Sequence, residues 1–398
     1  MAMPADSDSS PRGFRRVLGW LLDERFLQIL AQVVFAAIIL TTAYLLYQNM
    51  ARALAKQGMV LGYSFLRITS GFDISFKLIE HTRASSNLTA IQVGLLNTIL
   101  AAIVSIILST ILGVIVGIMR VSKNFLVNRI AWLYIEIFRN IPLLLVIIAS
   151  YAVIIYNVPV ISRSIVLPGP SYLSNRGLYI PSLVPTSQTT LFVLLLPVWI
   201  IIATVFARWI VKRRRLDNFI GTLIFLGVFL AFSVITWFAM PAAPFGMDIP
   251  VKKGLNYTGG LAFPPEFIAI VLGLVLGSSP FIADCVRAGL QSVSKGQIEA
   301  AHALGLSGYQ TMRLVIFPQA MRVIVPPMTS NFLSLTKNSS LASAIAYPEL
   351  VHVSSTITSQ TGRAVEMMTI MMISYAVMSL LTSLFMNWYN NRVRIVER

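Results

Sequence analysis

The stretch Ser294-Lys295-Gly296-Gln297-Ile298-Glu299-Ala300-Ala301-His302-Ala303-Leu304-Gly305-Leu306-Ser307-Gly308-Tyr309-Gln310 predicts two short helices joined by a hinge. Ser294 and Ser307 each stand three residues before a glutamine, the spacing at which a hydroxyl caps a helix start and the glutamine bonds back to the cap. Gly305 falls where the first helix should end, because glycine enters the left-handed conformation at little cost. Pro318 should stop the second helix from running on unbroken. We therefore expect a compact helix-turn-helix over residues 294–320, called the 294–320 loop below, whose alanines let it lie close against another protein.

The residues of this loop also have a family likeness. Glu299-Ala300-Ala301, Gly305 and Phe317-Pro318 resemble, in type and spacing, the EAA coupling loop of permease subunits in bacterial binding-protein-dependent ABC importers. Phe317 stands where that family usually has Leu, which is a mild apolar departure. The resemblance implies that the loop couples the chain to a separate ATPase. The residues that would carry this role are Glu299, Ala300, Ala301, Gly305 and Pro318.

Two further stretches resemble the polar amino acid branch of the same family. Tyr134-Ile135-Glu136-Ile137-Phe138-Arg139-Asn140-Ile141-Pro142-Leu143-Leu144 is similar to its Y-x-E-x-F-R-G-T-P-L-L motif, with Asn-Ile in place of Gly-Thr, and Lys337-Asn338-Ser339-Ser340-Leu341 is similar to its K-D-T-S-L motif. The resemblance covers roughly residues 90–160 and 263–390. With a long insertion between these blocks and an extra N-terminal helix, the chain is most similar to the Q-type permeases of general L-amino-acid importers.

The resemblance also implies a fold and a set of partners. The fold would be that of a type I ABC importer permease with a cytoplasmic coupling helix. The partners would be a second, related permease in a heterodimer, a dimer of ATPase subunits that holds ATP and magnesium, an external amino-acid-binding protein and membrane lipid.

Composition independently indicates a membrane protein. Hydrophobic residues make up 56% of the 398 residues and charged residues only 12%, so the polar surface that a soluble fold of this size needs is missing. A bilayer core needs about 20 apolar residues per helix. We predict an all-α integral membrane protein with about eight membrane helices. Their apolar runs are Phe26–Tyr47, Gly94–Ile118, Pro142–Val160, Leu191–Val211, Phe219–Met240, Phe267–Ala283, Met321–Thr336 and Met367–Trp388.

These runs predict the organisation of the chain. Residues 1–27 form a cytoplasmic tail, and residues 28–92 an extra membrane helix with an external segment. Residues 93–160 form the first part of the permease core. Residues 161–262 form external loops around an inserted membrane hairpin, 191–240. Residues 263–390 form the second part of the core, including the 294–320 loop, and residues 391–398 a second cytoplasmic tail.

The basic residues predict the orientation. With the N-terminus inside, nineteen Lys and Arg residues fall inside and ten outside, while Arg139 and Lys337 stay unassigned. This bias places both termini and the 294–320 loop in the cytoplasm of a bacterium and the chain in its inner membrane. The densest cluster, Lys212-Arg213-Arg214-Arg215, is typical of a cytoplasmic anchor, with an anionic lipid site as the alternative. The net charge of +16 does not indicate nucleic-acid binding, because the basic residues are spread between apolar runs.

The sequence shows no sign of catalysis. A phosphate-binding loop needs G-x-x-x-x-G-K-[ST], and the chain contains no Gly-Lys dipeptide, so we expect no ATPase activity, no cofactor and no enzyme function in this subunit. Its three histidines have no metal-ligand spacing, which predicts no metal site. The alternative to an importer permease is a self-sufficient secondary transporter or channel for small polar solutes. Such a protein would show paired broken helices in two homologous halves, and no such duplication is visible.

The transport path is expected on the helix that follows the loop. Two adjacent prolines, Pro326-Pro327, should break this helix, and the residues after them are unusually polar for lipid. The candidate path residues are Asn331, Ser334, Lys337, Asn338 and Ser339. Lys337 could bind the carboxylate of an amino acid while the amides and hydroxyls complete the site. Alternatively, Lys337 pairs with an acidic group or backbone carbonyls, and the polar row holds two permease subunits together.

Overall fold

The computed structural model describes residues 24–56, 58, 61–214 and 218–393. The predicted N-terminal tail therefore lies outside the described residues up to residue 23, and the predicted C-terminal tail from residue 394 onward. Arg215 of the basic cluster lies outside them as well.

The chain divides into two units at Leu66, which are described separately. The first unit contains α1 (Glu24–Lys56), a helix of 33 residues in which Leu27–Ala53 is long and apolar enough to cross a membrane. The helix continues nine residues beyond Tyr47, where the apolar run ends. A single turn of 3-10 helix begins at Ser64, and the second unit follows from Arg67.

The second unit is mostly helical. Its helices, within the described residues, are α2 (Asn87–Arg120), α3 (Phe125–Asn140), α4 (Leu143–Asn157), α5 (Thr189–Arg214), α6 (Asn218–Ala239), α7 (Pro265–Gln291), α8 (Lys295–Ala303), α9 (Gly308–Thr311), α10 (Phe317–Asn338), α11 (Leu350–Thr361) and α12 (Ala364–Val393). Each of the predicted apolar runs of this unit coincides with one of these helices, although Pro142–Val160 and Phe219–Met240 extend beyond the ends of α4 and α6.

Six helices among the described residues, α1, α2, α5, α6, α7 and α12, are long and apolar enough to cross a membrane alone. The seventh candidate is the pair α3 and α4, which bends by 106° at the break before Leu143. Pro142 lies at this break, in the N-cap position of α4. It separates the two helices because proline disfavours a helical conformation at the residue before it. The eighth predicted run lies in α10, which does not meet the same test because polar and charged residues interrupt it.

The centre of the second unit is α7, which has the largest buried share of the candidate spans, 67%. Glycines let neighbouring helices approach it. A Cβ atom on Gly113 or Gly117 of α2 would lie 2.7 Å from the Cβ atom of Ile282 or Val286 of α7. Gly273 of α7 meets Ile147 of α4 in the same way. Because lipid tails are as apolar as the side chains, close packing of this kind is what holds membrane helices together.

The loops on either side of the α5–α6 hairpin form short antiparallel strands. The strands are β1 (Ile165–Leu167), β2 (Ser171–Ser174), β3 (Gly177–Ile180), β4 (Ser182–Pro185), β5 (Phe245–Asp248), β6 (Val251–Lys253), β7 (Asn256–Thr258) and β8 (Leu261–Phe263). One sheet has the order β1-β2-β3-β8, and the pairs β4-β5 and β6-β7 stand beside it. The sequence did not predict these strands. Three or four residues are too few to show alternation, and prolines interrupt the segment: Pro168 and Pro170 lie in the turn between β1 and β2, and Pro181 separates β3 from β4.

A buried segment after α10 was not predicted either. Residues Ser339–Ile345 form a 3-10 helix and α11 follows, with Tyr347, Glu349 and Leu350 fully buried. Two polar residues of α2 hold this segment. Asn97 donates to the carbonyl of Pro348 at 2.9 Å, and the Thr98 hydroxyl accepts from the Leu350 amide at 3.0 Å. The sequence did not predict α11, because this helix is short and rich in hydroxyls and its buried face is limited to Leu350, Val353, Ser354 and Ile357.

The two prolines of α10 do not break it. Pro326 and Pro327 lie inside a continuous helix that runs to Asn338, so the expectation of a broken helix was wrong. Each proline removes one hydrogen bond, from the carbonyls of Arg322 and Val323, but the fixed proline φ still suits a helix. Membrane helices tolerate such gaps where neighbouring helices and side chains meet the freed backbone groups.

Candidate functional site

The 294–320 loop consists of two short helices whose starts differ in how they are capped. At Ser307 the predicted capping box forms, with the Ser307 amide donating to Gln310 Oε1 at 2.8 Å and the Gln310 amide donating to Ser307 Oγ at 3.4 Å. At Ser294 the helix also starts as predicted, but the hydroxyl makes no capping bond. Its backbone carbonyl accepts from the Gln297 amide at 3.1 Å instead, so the first of the two predicted boxes was wrong.

Gly305 ends α8 in the left-handed conformation, as the sequence predicts, with φ +77°. The Gly305 amide donates to the His302 carbonyl at 2.9 Å, and the Leu306 amide donates to the Ala301 carbonyl at 3.1 Å. These two bonds are those of a Schellman motif, and they satisfy carbonyls that the helix end would otherwise leave open. The hinge between α8 and α9 therefore has one defined geometry.

Pro318 does not end the second helix, contrary to expectation. The chain remains helical from Gly308 to Asn338, and a wide turn of π-helix, Met312–Ile316, precedes the proline. In this turn the Phe317 amide donates to the carbonyl of Met312, five residues back. The widened turn shifts the bonding pattern at the point where Pro318 cannot donate, so the helix continues. The loop is thus joined rigidly to α10.

The loop exposes apolar side chains at its hinge. Leu304 is 81% exposed and Tyr309 is 74% exposed, while Ala301 is buried at 3%. Glu299, Ala300 and Gly305 are also exposed, and Pro318 is half-buried. The predicted coupling residues therefore form a bare, accessible surface, apart from Ala301, which packs inward.

Three of the predicted path residues meet at a cavity of about 300 Å³. Asn331, Ser334 and Asn338 line it from one side of α10, where they follow the spacing of a single helix face. Leu335 of α10 also lines it, and the rest of the lining comes from α3, α4 and α7, with the intervening Ile141. Arg139 and Ser278 add polar groups, and Phe138, Leu143 and Phe281 are among the apolar ones.

The other two predicted path residues lie elsewhere. Lys337 is exposed and does not line the cavity. Among the described residues it has no ion pair with an acidic side chain. Ser339 is buried at 1%, and its hydroxyl donates to the Thr336 carbonyl at 2.6 Å. Thus the structure brings together Asn331, Ser334 and Asn338 of the predicted path, but not Lys337 or Ser339.

An ion-pair bridge borders the cavity. Arg139 Nη1 lies 2.6 Å from Asp284 Oδ2, and Arg287 Nε lies 3.4 Å from Asp284 Oδ1. The Arg139 guanidinium also lies over the Phe281 ring, 5.7 Å from its centroid. Asp284 thus joins α3 to α7. Arg139 has no role predicted from the sequence, although the Y-x-E-x-F-R stretch contains it.

Tyr134, in the same stretch, supports α7 where a proline interrupts its hydrogen bonds. Pro280 cannot donate to the Leu276 carbonyl, and the Tyr134 hydroxyl lies 3.5 Å from that oxygen. It lies 2.7 Å from the Ser279 hydroxyl. This hydroxyl therefore gives α3 a polar contact with α7. Sequence reasoning assigned Tyr134 no role.

These features define the class first: a multi-pass, helical membrane protein with an exposed two-helix loop and a small polar cavity between helices. The family described as "Binding-protein-dependent transport system inner membrane component" matches residues 199–395. "General L-amino acid transport system permease protein AapQ" of Rhizobium johnstonii is 39% identical over 389 residues, covering 96% of each chain. "Glutamate/glutamine/aspartate/asparagine transport system permease protein BztB" of Rhodobacter capsulatus is 37% identical over 433 residues, covering 100% of each. The chain belongs to the family of amino-acid ABC transporter permeases, as its motifs predicted.

Proposed function

We propose that this chain is the permease subunit through which an ATP-driven importer moves L-amino acids across the bacterial inner membrane. Its partners would be a second, related permease, a dimer of ATPase subunits and an external amino-acid-binding protein. ATP and magnesium would bind on the ATPase, and this chain would supply no catalytic residue. Both termini and the 294–320 loop would lie in the cytoplasm.

The observation that carries this proposal is the rigid, exposed 294–320 loop. The Schellman turn at Gly305 and the capping box at Ser307 fix its two helices, and exposed Leu304 and Tyr309 suit the groove of another protein. The chain is helical from Gly308 through α10. A movement of the loop would therefore shift the α10 residues that line the cavity. Rigid-body motion of packed elements is a common way to couple distant sites.

The cavity supports an amino acid as the substrate. Asn331, Ser334 and Asn338 offer hydrogen-bond donors and acceptors to a polar molecule, and Arg139 offers guanidinium donors that suit a carboxylate. Asp284, bonded to Arg139, balances this charge. A volume of about 300 Å³ is at the lower end of the usual range for small-molecule sites, which fits a single amino acid.

Gly305→Pro tests the coupling role. Proline cannot adopt the φ of +77° at this position, so the hinge between α8 and α9 should lose its geometry. In a purified complex with the ATPase, we expect substrate-stimulated ATP hydrolysis to be lost while the subunits still assemble. Gly296→Ala is the matched control: Gly296 lies in α8 of the same loop with open space for a Cβ atom and no positive φ.

Full stimulation in an assembled Gly305→Pro complex would remove the loop from the coupling path. A different result would overturn the importer itself. If this chain alone, in vesicles without ATP, moved amino acids in response to an ion gradient, it would be a secondary transporter.

A further inference from the structure

A cationic cavity lies inside the α5–α6 hairpin, away from the candidate transport site. It has a volume of about 400 Å³. From α5 it is lined by Thr204, Ala207, Arg208, Val211 and Lys212, and from α6 by Gly221, Thr222 and Phe225. Thr204, Arg208 and Lys212 recur every four residues, so they share one face of α5. Two cations and two threonines therefore meet on apolar walls.

The hairpin is exposed to its surroundings. Of the described residues of α6 only Gly221 and Thr236 are buried, and of the apolar window of α5 only 17%. The two helices pack mainly on each other, and a Cβ atom on Gly221 would lie 2.7 Å from Val211 Cγ2, which shows how closely they approach beside the cavity. Both helices are long and apolar enough to span a membrane, so their exposed faces are suited to contact with lipid.

Arg208 lies deeper along the span than the rest of the basic cluster. It precedes Lys212 by four residues, which is about 6 Å along a helix. A cation at such a depth is costly unless it is paired. Neither α5 nor α6 contains an acidic residue, and Asp217, which falls between them in the sequence, lies outside the described residues. In the described part of the chain, Arg208 and Lys212 form no ion pair.

We propose that this cavity binds the headgroup of an anionic phospholipid. Arg208 and Lys212 bind the phosphate oxygens, and the threonines contact the glycerol or headgroup hydroxyls. The acyl chains lie along the exposed apolar faces of α5 and α6. Basic pockets between membrane helices are the sites at which anionic headgroups bind. Arg213 has a different role, because its guanidinium lies over the Trp209 ring, 5.1 Å from the centroid.

The test compares two variants with the same loss of charge. R208Q/K212Q removes both cations of the cavity, whereas R213Q/R214Q removes two neighbouring cations that do not line it. Each complex is purified in detergent and titrated with dioleoylphosphatidylglycerol or dioleoylphosphatidylcholine, and bound lipid is counted by native mass spectrometry. At about 1 kcal/mol per cation, losing both should weaken phosphatidylglycerol binding about 30-fold.

We expect this loss in R208Q/K212Q alone, with little change in R213Q/R214Q and weak binding of phosphatidylcholine throughout. An equal loss in both variants would mean that the cluster attracts anionic lipid only by its overall charge, which would overturn the site. Equal binding of the two lipids by the unaltered complex would overturn it as well. This experiment measures lipid binding and not transport, so its outcome does not depend on whether the chain imports amino acids.

Discussion

At the scale of single residues, the side chain of Asp284 stabilises the structure by bridging two arginines. It accepts from Arg139 of α3 and from Arg287 of its own helix, and its side chain is only 24% exposed. Asp284→Asn removes the negative charge between two cations. We expect a loss of about 1 kcal/mol, because the Arg139 side chain is 52% exposed and solvent screens the pair, seen as a lower melting temperature of the purified complex.

A double-mutant cycle isolates this bridge. Arg139→Gln and Asp284→Asn should each destabilise the complex, and the double variant should cost less than the sum of the two, because one shared interaction is lost only once. Strict additivity would show that the Arg139–Asp284 contact contributes nothing measurable.

Single residues also show where sequence reasoning fails. Ser294 and Ser307 have the same spacing to a glutamine, but only Ser307 forms the capping box. Lys337 and Asn338 are adjacent in one polar row, but on a continuous helix they point about 100° apart, so only Asn338 lines the cavity. A pattern predicts which residues can take a role, whereas the direction of each side chain depends on the packing of the helix.

At the scale of elements, the crossing of α2 and α7 depends on two glycines of α2. A Cβ atom on Gly117 would lie 2.7 Å from Val286 Cβ and 2.8 Å from the Ala283 carbonyl oxygen. Gly117→Ala should therefore push the helices apart. Overpacking costs about 1–3 kcal/mol, which exceeds the gain of about 1 kcal/mol from placing alanine in a helix. We expect a lower melting temperature of the complex.

Gly227→Ala is the matched control for this crossing. Gly227 also lies inside a membrane helix, α6, but nothing lies within 4 Å of the position of a Cβ atom. Its substitution should leave the melting temperature unchanged or raise it slightly. If both substitutions have the same effect, helix propensity decides the outcome and the close approach at Gly117 does not.

The sequence predicted the long apolar helices, but it did not predict the elements that protein neighbours stabilise. Lipid-facing helices such as α1, α5 and α6 carry long apolar runs, and these were found. The strands β1 to β8 and helix α11 were not, because protein neighbours stabilise them. In α11, for example, the carboxylate of Glu349 accepts the amides of Val351 and His352 at 2.8 and 2.7 Å, which caps the helix within the protein interior. Nothing in an apolar run reveals such a contact.

At the scale of the whole molecule, the inserted hairpin stands apart from the rest of the permease core. The residues that line the polar cavity at Asn331 and Arg139 come from α3, α4, α7, α10 and the α3–α4 break, and none comes from α5 or α6. The strands β4 and β5 join the two ends of the hairpin, with Pro185 paired to Phe245 at its base. The insertion was predicted from its long apolar runs, but the sequence did not reveal this join.

Deleting the hairpin tests whether it serves assembly or transport. Residues 186–244 can be replaced by Asn-Gly, since a two-residue turn of this type closes an antiparallel pair such as β4-β5. We expect less assembled complex, because a lipid-facing surface and its anionic lipid site are lost, while the relative uptake rates of different amino acids stay the same. The R208Q/K212Q variant is the control, because it keeps the hairpin and lacks only the cations of the lipid cavity. A normal amount of complex with altered relative uptake rates would instead place α5 and α6 on the transport path.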